Sequence, residues 1–494
     1  MGFCDPYPRA DVFSSAPKGT DLRFGSQRSW GWCERLTNRD GIIASKESLL
    51  VRATEIPLAN VLPITAGVTE AGHLTLGGCD AVALAGEFGT PLYVFDEETL
   101  RGQCRAFQQE FGSRYHNSVV AYAAKAYLGR ALAGIIAQEG MSLDVVSGGE
   151  LAVAASVSFP AERIYFHGNN KSEQELREAL DYGVARIVVD NFHEMQLLNG
   201  ISQGRGVRQK VLLRLSPGID PHTHAHTTTG TLDNKFGIPL PTGQAEAAVR
   251  QALEMPGLEL VGLHVHLGSP VFELEPYGQA VDMLLEFASK MRKQHQFEMA
   301  EFSPGGGFAV AYTPEQQAPS ASAYAETVVS TLREGLWRYE IPAPKLIVEP
   351  GRAIVARAAV ALYTVGSSKD VPDVRRFVSI DGGMADNVRP ALYDSRYSAL
   401  VANRVNDERR EVVTIAGKYC ESADILLRDA ELPPLEAGDI LAMPAAGAYA
   451  LAMASNYNLS SRPAVVLVKD GEAKLMRRRE TYEDLTRADV WPLE

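Results

Sequence analysis

The chain has 494 residues, 46% hydrophobic and 22% charged, with a net charge of −13, enough for one large core plus a second domain in an ordinary globular protein. The acidic balance argues against a general nucleic-acid or anionic-membrane partner, no apolar run approaches the roughly 20 residues that span a bilayer, and the N-terminus lacks the basic-then-apolar layout of a secretory signal. Five scattered cysteines, Cys4, Cys33, Cys79, Cys104 and Cys420, form no C-x-x-C pair, which argues against a disulfide framework or zinc ribbon and points to a reducing cytoplasm.

Residues 1–57 mix Pro, Ser, Gly, Arg and Asp with little periodicity. They read as a poorly ordered extension, or as the product of a start codon assigned too far upstream. Regular structure is expected from about Leu62. Residues 58–97 carry two strand-like pieces, LTLGG and PLYVFD, with a short helix between them.

Over residues 98–352 apolar, β-rich runs alternate with amphipathic helical patterns. The runs are VVAYAAK, SLDVVS, RIYFHG, ARIVVD, VLLRLS, LVGLHVHLGS, AEFSPGGG and KLIVEPGR, and segments such as GRALAGIIAQEG and SEQELREALDYG lie between them. Eight strands alternating with helices over about 230 residues predict an α/β fold of the (β/α)8 TIM-like barrel type. A doubly wound sheet alternates too, but eight regular units with no G-x-G-x-x-G after the first strand favour the barrel. Residues 353–494 change texture. ALYTVGSSKD, RRFVSIDGG, EVVTIAGKYC, GDILAMPAAG and PAVVLVKDGEAKLMRR are strand-like runs broken by Gly, Pro and Asp, predicting a mainly β domain. The strands around residues 72–96 are expected to join it, leaving the barrel inserted between its two parts.

The run VVAYAAKA ends in Lys125. Alone, a strand-end lysine more often snorkels to solvent than works buried, where it costs several kcal/mol unless paired or chemically used. The other runs reverse that preference. Lys125, Ser147, His167, Asp190, Arg214, His266, the Gly305–Gly306–Gly307 turn and Glu349 all stand at or just after predicted strand C-termini, the face on which such barrels build catalysis. The triple glycine allows close backbone approach to an oxyanion, and the next run ends in Glu349, Pro350, Gly351 and Arg352, a second turn with a guanidinium. A phosphate there and a reactive lysine on the first strand make pyridoxal 5'-phosphate the natural occupant. Glu349 is then placed to protonate the pyridine nitrogen, and His266 to lie against the ring. His264 and His266 share one side of their strand by period-two alternation, which raises a zinc-hydrolase reading. That reading is the weaker one, because no matching carboxylate and histidine set is evident at the other strand ends, and no metal is assigned. His222, His224 and His226 sit in a Gly/Pro/Thr-rich loop and receive no ligand role.

The motifs YAAKA, DVVSGGE, KFG at 235–237, HVHLGS, GGGF, EPGR, DGGMADNVRPALY, CES at 420–422 and GAYALAMASNYN, in that order, make the chain resemble the diaminopimelate decarboxylase family. That family belongs to the alanine-racemase-like (fold-type III) pyridoxal-phosphate enzymes. The resemblance runs from about Leu74 to about Val468. It implies that Lys125 carries the cofactor as a Schiff base, with His266 stacked on the ring. Ser269, Gly305, Gly306, Gly307, Glu349, Pro350, Gly351, Arg352 and Tyr449 would make the other cofactor contacts. It further implies that Arg352, Arg389 and Tyr393 hold the substrate's distal carboxylate, that Glu421 recognises its distal amino group, and that Tyr449 lies near both cofactor and substrate. Cys420 would serve protonation at Cα and come from the neighbouring subunit of a homodimer with shared active sites.

The implied reaction takes meso-diaminopimelate, a small amino-acid substrate, to L-lysine and carbon dioxide, the last step of lysine biosynthesis. Taken singly, Arg389 could be a surface arginine, Tyr393 a core tyrosine, Cys420 a small buried hydrophobe and Glu421 a solvated turn residue. Tyr127 and Pro270 stand where the family usually has Asn and often has Gln, positions one layer back from the chemistry. A relative acting on arginine, ornithine or a carrier-bound glutamyl group, a zinc barrel hydrolase and a non-catalytic binding protein on the same fold are the competing readings. The last is expected to lack Lys125 or Glu349, and this chain keeps both.

Overall fold

A computed structural model describes residues 56–220 and 229–491. The extension expected over residues 1–57 therefore falls almost wholly outside the described residues. Its end does not, because Ile56 is buried in a hydrophobic cluster with Leu58, Val61 and Leu62, so packing starts ahead of Leu62.

Three short strands, β1 (Gly67–Val68), β2 (Leu74–Leu76) and β3 (Cys79–Asp80), form a small antiparallel sheet of their own. The LTLGG piece pairs within this small sheet and not in the C-terminal one, but it packs on the C-terminal domain: Leu74 and Leu76 share a core cluster with Val360, Leu362, Ala442 and Val466, and Leu74 N–H donates to Ala402 O at 2.7 Å. Gly77 and Gly78, both at positive φ, turn the chain straight back so that Leu76 pairs with Cys79. After a helix over Ala81–Phe88, β4 (Leu92–Asp96) does join that sheet, and the Asp96 side chain caps the next helix, Glu97–Arg114.

The barrel strands are β5 (Ser118–Ala123), β6 (Ser142–Val145), β7 (Ile164–Phe166), β8 (Arg186–Val189), β9 (Gln209–Ser216), β11 (Leu258–Val265), β12 (Glu301–Gly306) and β13 (Lys345–Glu349), with a two-residue β10 (Ile238–Pro239) beside the end of β9. Each pairs in parallel with the next, and β13 pairs with β5, closing an eight-stranded TIM-like barrel. These strands are the eight predicted runs. Period-two alternation sorts their side chains. Leu143, Val145, Phe166, Val189, Leu213, Val265, Phe302 and Val348 pack outward in the main core under the helices. Ala121, Tyr165 and Ile347, and separately Val188, Leu212 and Val261, form small clusters apart from that core. By the same alternation Asp144, Arg214, His264, Ser303 and Glu349 are buried on the inner side toward the C-terminal ends.

Beyond the barrel lie β14 (Ala359–Val371), β15 (Arg375–Ile380), β16 (Leu400–Val401), β17 (Glu411–Ala416), β18 (Ile425–Leu432), β19 (Ile440–Met443), β20 (Ala464–Lys469) and β21 (Glu472–Arg477). The sheet runs β18-β17-β15-β14-β4-β20-β21, with β19 paired to β14 and β16 paired in turn to β19. β4 stands between β14 and β20, antiparallel to the first and parallel to the second. β18 was not anticipated. Its sequence ILLRDAEL alternates poorly, and it pairs only with β17 at one end of the sheet.

Candidate active site

A cavity of about 610 Å³ opens at the C-terminal ends of the barrel strands. Its walls include Lys125, His167, Arg214, His264, His266, Ser269, Glu349, Arg352, Arg389, Tyr393 and Tyr449. Lys125 sits in the single 3₁₀ turn, Ala124–Ala126, that ends β5. That turn is clamped from two sides: Ala123 N–H donates to Pro350 O at 3.1 Å, and Tyr449 N–H donates to Ala126 O at 2.7 Å. Gly351 is tight against the same turn, since a Cβ there would meet Ala123 and Ala126 at 3.1–3.2 Å.

The floor of the cavity is a buried cluster. Glu349 Oε2 lies 3.0 Å from His264 Nε2, and Ser303 Oγ–H donates to Glu349 Oε1 at 2.8 Å. His167 Nε2 stands 3.6 Å from Glu349 Oε1 and 3.6 Å from Asp144 Oδ1, too far for a hydrogen bond to either. Burial alone would raise the Glu349 carboxyl, but His264 and His167 beside it, with the bonds from His264 and Ser303, hold it well below the usual carboxylate range. Burial depresses His167 well below an ordinary imidazole and pushes Asp144 up to about 8, against the pull of Lys125. His167, His264 and Glu349 offer ligand atoms within 4.8 Å of one another. The expectation that no carboxylate and histidine set would meet the H-x-H pair therefore fails, because barrel closure brings together strands far apart in sequence. In this set His264 Nε2 is already turned to Glu349.

The glycine turn is used differently from the sequence expectation. Gly305 N–H donates to Ser303 Oγ at 3.1 Å, and Gly306 N–H donates to His266 Nδ1 at 3.2 Å. Neither N–H is left for an oxyanion in this arrangement. Gly305, at φ 78°, has no room for a Cβ, which would come 2.4 Å from Val265 O and 3.0 Å from His266 Nδ1. The turn thus fixes the His266 ring. With Nδ1 accepting, the neutral ring carries its proton on Nε2, and burial favours that neutral form.

One wall carries two buried guanidiniums. Arg352 donates to Ser269 Oγ at 3.4 Å and to the Tyr312 hydroxyl, and its charge lies 4.7 Å from the Tyr449 ring centroid. Arg389 donates to the Tyr397 hydroxyl and lies 4.4 Å above the Tyr312 ring. Arg389 and Tyr393 come from one short helix, Arg389–Tyr393.

Several sequence-derived candidates fall elsewhere. Ser147 accepts from Glu150 N–H as the N-cap of the helix Gly148–Ala155, and Asp190 is bonded to Gly237 N–H at 3.0 Å; neither lines the cavity. Cys420 and Glu421 are exposed and do not line the cavity of their own chain. Tyr127 packs on Phe95 in the core, away from the cavity, whereas Pro270 forms part of the wall itself. His222, His224 and His226 lie outside the described residues. Tyr312, Tyr397 and Asp144 were not anticipated. Asp144, the single charge in SLDVVS, carried a readable signal; the tyrosines, in loops, carried none.

Residues 97–356 match the family described as pyridoxal-dependent decarboxylase, pyridoxal binding domain. The chain is 46% identical to the diaminopimelate decarboxylase of Bacillus subtilis over 85% of its own length and 95% of the relative's, and 44% identical to that of Synechocystis over 89% and 95%. The chain belongs to the diaminopimelate decarboxylase family. Among solved structures, the diaminopimelate decarboxylase of M. jannaschii in complex with L-lysine aligns with a TM-score of 0.82 at 35% identity, covering 87% of this chain and 98% of that one. The Helicobacter pylori diaminopimelate decarboxylase complexed with L-lysine aligns at 0.75 and 30%, covering 82% and 98%. The cofactor of this family is pyridoxal phosphate, and the site fits it. A lysine reaches the cavity, an imidazole is locked in one orientation, and an ionised buried carboxylate is available to a cationic ring nitrogen. His167 Nε2 and Asp144 Oδ1 are buried polar atoms with no hydrogen-bond partner among the described residues. No described helix is long and apolar enough to cross a membrane.

Proposed function

We propose that the protein decarboxylates meso-diaminopimelate to L-lysine and carbon dioxide with pyridoxal 5'-phosphate held at Lys125. The observation that carries this reading is the pair of buried guanidiniums, Arg352 and Arg389, whose partners on this wall are neutral hydroxyls and ring faces. Two desolvated cations beside a lysine-bearing turn call for an anionic group on the substrate, and a simple diamine precursor has none.

When bound, the cofactor supplies an electron sink that stabilises the carbanion left by departing carbon dioxide. Glu349 keeps its negative charge through His264 and Ser303, and so favours a protonated ring nitrogen over a neutral one. His266, its ring fixed by Gly306 N–H, would lie against the ring face. Ser269, Gly307 and the Gly351–Arg352 turn are the candidates for the phosphate, with Pro350 setting the turn against Lys125. Arg352, Arg389 and Tyr393 hold the distal carboxylate and thereby present the other carboxylate for loss, while Tyr449 borders both ligands.

A homodimer completes the site. Cys420 and Glu421 are exposed and absent from their own cavity, which supports delivery to a second copy, Cys420 for protonation at Cα and Glu421 for the distal amino group. A cytoplasmic location fits the free thiols of Cys79, Cys104 and Cys420. The deciding experiment combines a visible absorption spectrum, borohydride reduction with mapping of the labelled lysine, and carbon dioxide release from a panel of amino acids. Label on Lys125 and release from diaminopimelate alone are expected. Label on another lysine, or release from ornithine or arginine instead, overturns the reading.

A further inference from the structure

Two like charges buried against one wall repel, and each has lost its hydration. The question is what holds Arg352 and Arg389 in place before a carboxylate arrives. Both are largely buried, at 6% and 5% exposure. Tyr312 touches both. Its hydroxyl accepts from Arg352 Nη1, and its ring lies under the Arg389 guanidinium at 4.4 Å and near that of Arg352 at 5.6 Å. Tyr397 stands edge-on to Tyr312, with ring centroids 5.2 Å apart and planes at 77°, and takes the Arg389 hydrogen bond.

We infer that Tyr312 is a positioning residue that sets specificity for the distal carboxylate, offering its oxygen to Arg352 and its ring face to Arg389 so that both stay ordered toward one anion. This rests on the diaminopimelate reading above and adds to it the residue that preorganises the arginine pair. A phenol suits the task because it supplies two kinds of negative potential at once, lone pair and π face, without a carboxylate's full charge. A carboxylate there would pair with the arginines and shut the substrate out. The pull is mutual. Burial would raise the Tyr312 phenol, but the two guanidiniums outweigh burial and draw it below an ordinary tyrosine. Tyr312 lines the cavity, so its replacement reaches the site directly.

The test uses the cofactor-loaded enzyme with Tyr312→Phe, which keeps the ring and removes the acceptor, and Tyr312→Leu, which removes both. Diaminopimelate kinetics are measured beside calorimetric binding of two probes. L-lysine keeps the distal carboxylate after the other has been lost, and 1,5-diaminopentane lacks both. In Tyr312→Leu the KM for diaminopimelate and the dissociation constant of L-lysine should rise about ten- to a hundredfold, kcat should fall less, and diaminopentane should bind as in the wild type. Tyr312→Phe should show the same selective loss on a smaller scale, with cofactor absorbance unchanged in both. Equal weakening of both probes, or unchanged L-lysine binding by a folded Tyr312→Phe, overturns the inference. If wild-type enzyme does not turn over diaminopimelate, the substrate reading fails first and takes the inference with it. If it does and only the variants disagree, the inference alone falls.

Discussion

The floor and the arginine wall of the cavity solve opposite electrostatic problems. On the floor the carboxylate of Glu349 receives hydrogen bonds from His264 and Ser303, so its charge is stabilised from within the chain and stays available upward. On the wall, Arg352 and Arg389 meet hydroxyls and aromatic faces instead of carboxylates. One end is an anion already supported, the other a cation pair that no carboxylate among the described residues neutralises. The difference indicates which part of each region is set in advance: the floor for the resident cofactor, the wall for an incoming substrate.

The comparison breaks most severely at the floor. Glu349→Gln keeps the shape and removes the charge, so kcat should fall about 10²- to 10³-fold while cofactor absorbance survives. Stopped-flow turnover beside a cofactor titration checks both halves, and near-normal kcat would remove Glu349 from its role. At the wall, Arg389→Met should raise the KM for diaminopimelate about ten- to a hundredfold, with a smaller change in kcat, because a charge-assisted contact to a carboxylate is lost.

The two regions should also differ in whose residues they use. The floor belongs to one chain, while the proposal above completes the wall from a second. Lys125→Ala and Glu421→Ala should each be nearly inactive, yet a mixture allowed to exchange subunits should recover toward about one quarter of wild-type activity per protomer. No recovery in a mixture shown to have exchanged would place Glu421 at its own chain's site.

The smallest effect concerns Asp144. With its carboxyl raised to about 8 in the fold and near 4 when unfolded, the native state binds the extra proton between those values, so Asp144 lowers stability as pH rises through that window. In cofactor-free protein, Asp144→Asn should change Tm least near pH 4 and become progressively more favourable relative to wild type toward pH 8. Parallel Tm-against-pH curves would show that Asp144 ionises normally.

Much of this was legible in the sequence, for a physical reason. Each barrel strand is buried on both sides and so reads as a short apolar run, and its polar end residue stands out against it. Lys125, His266 and Glu349 were found that way. What the sequence hid is lateral. Nothing in RIYFHG, LVGLHVHLGS or KLIVEPGR says that His167, His264 and Glu349 share one floor, since only barrel closure sets that neighbourhood. The glycines at 305 and 306 read as anion binders, but their N–H groups serve Ser303 and His266. Ser147 read as a site residue and is a helix cap, because a strand end and a helix start occupy the same few positions in a βα unit. β18 escaped because a terminal strand with a wet face does not keep the alternation that marks a central one.

The position of β4 has a consequence for how the protein is made. This strand leaves the ribosome before any part of the barrel, yet its parallel partner β20 lies roughly 370 residues downstream. Its other neighbour, β14, follows the last barrel strand. The sheet therefore cannot finish until nearly the whole chain has been synthesised, since one side of β4 has no partner before β20 exists. Chains cut short before β20 would keep all eight barrel strands and still expose one side of β4, an open edge of the kind that pairs with other chains.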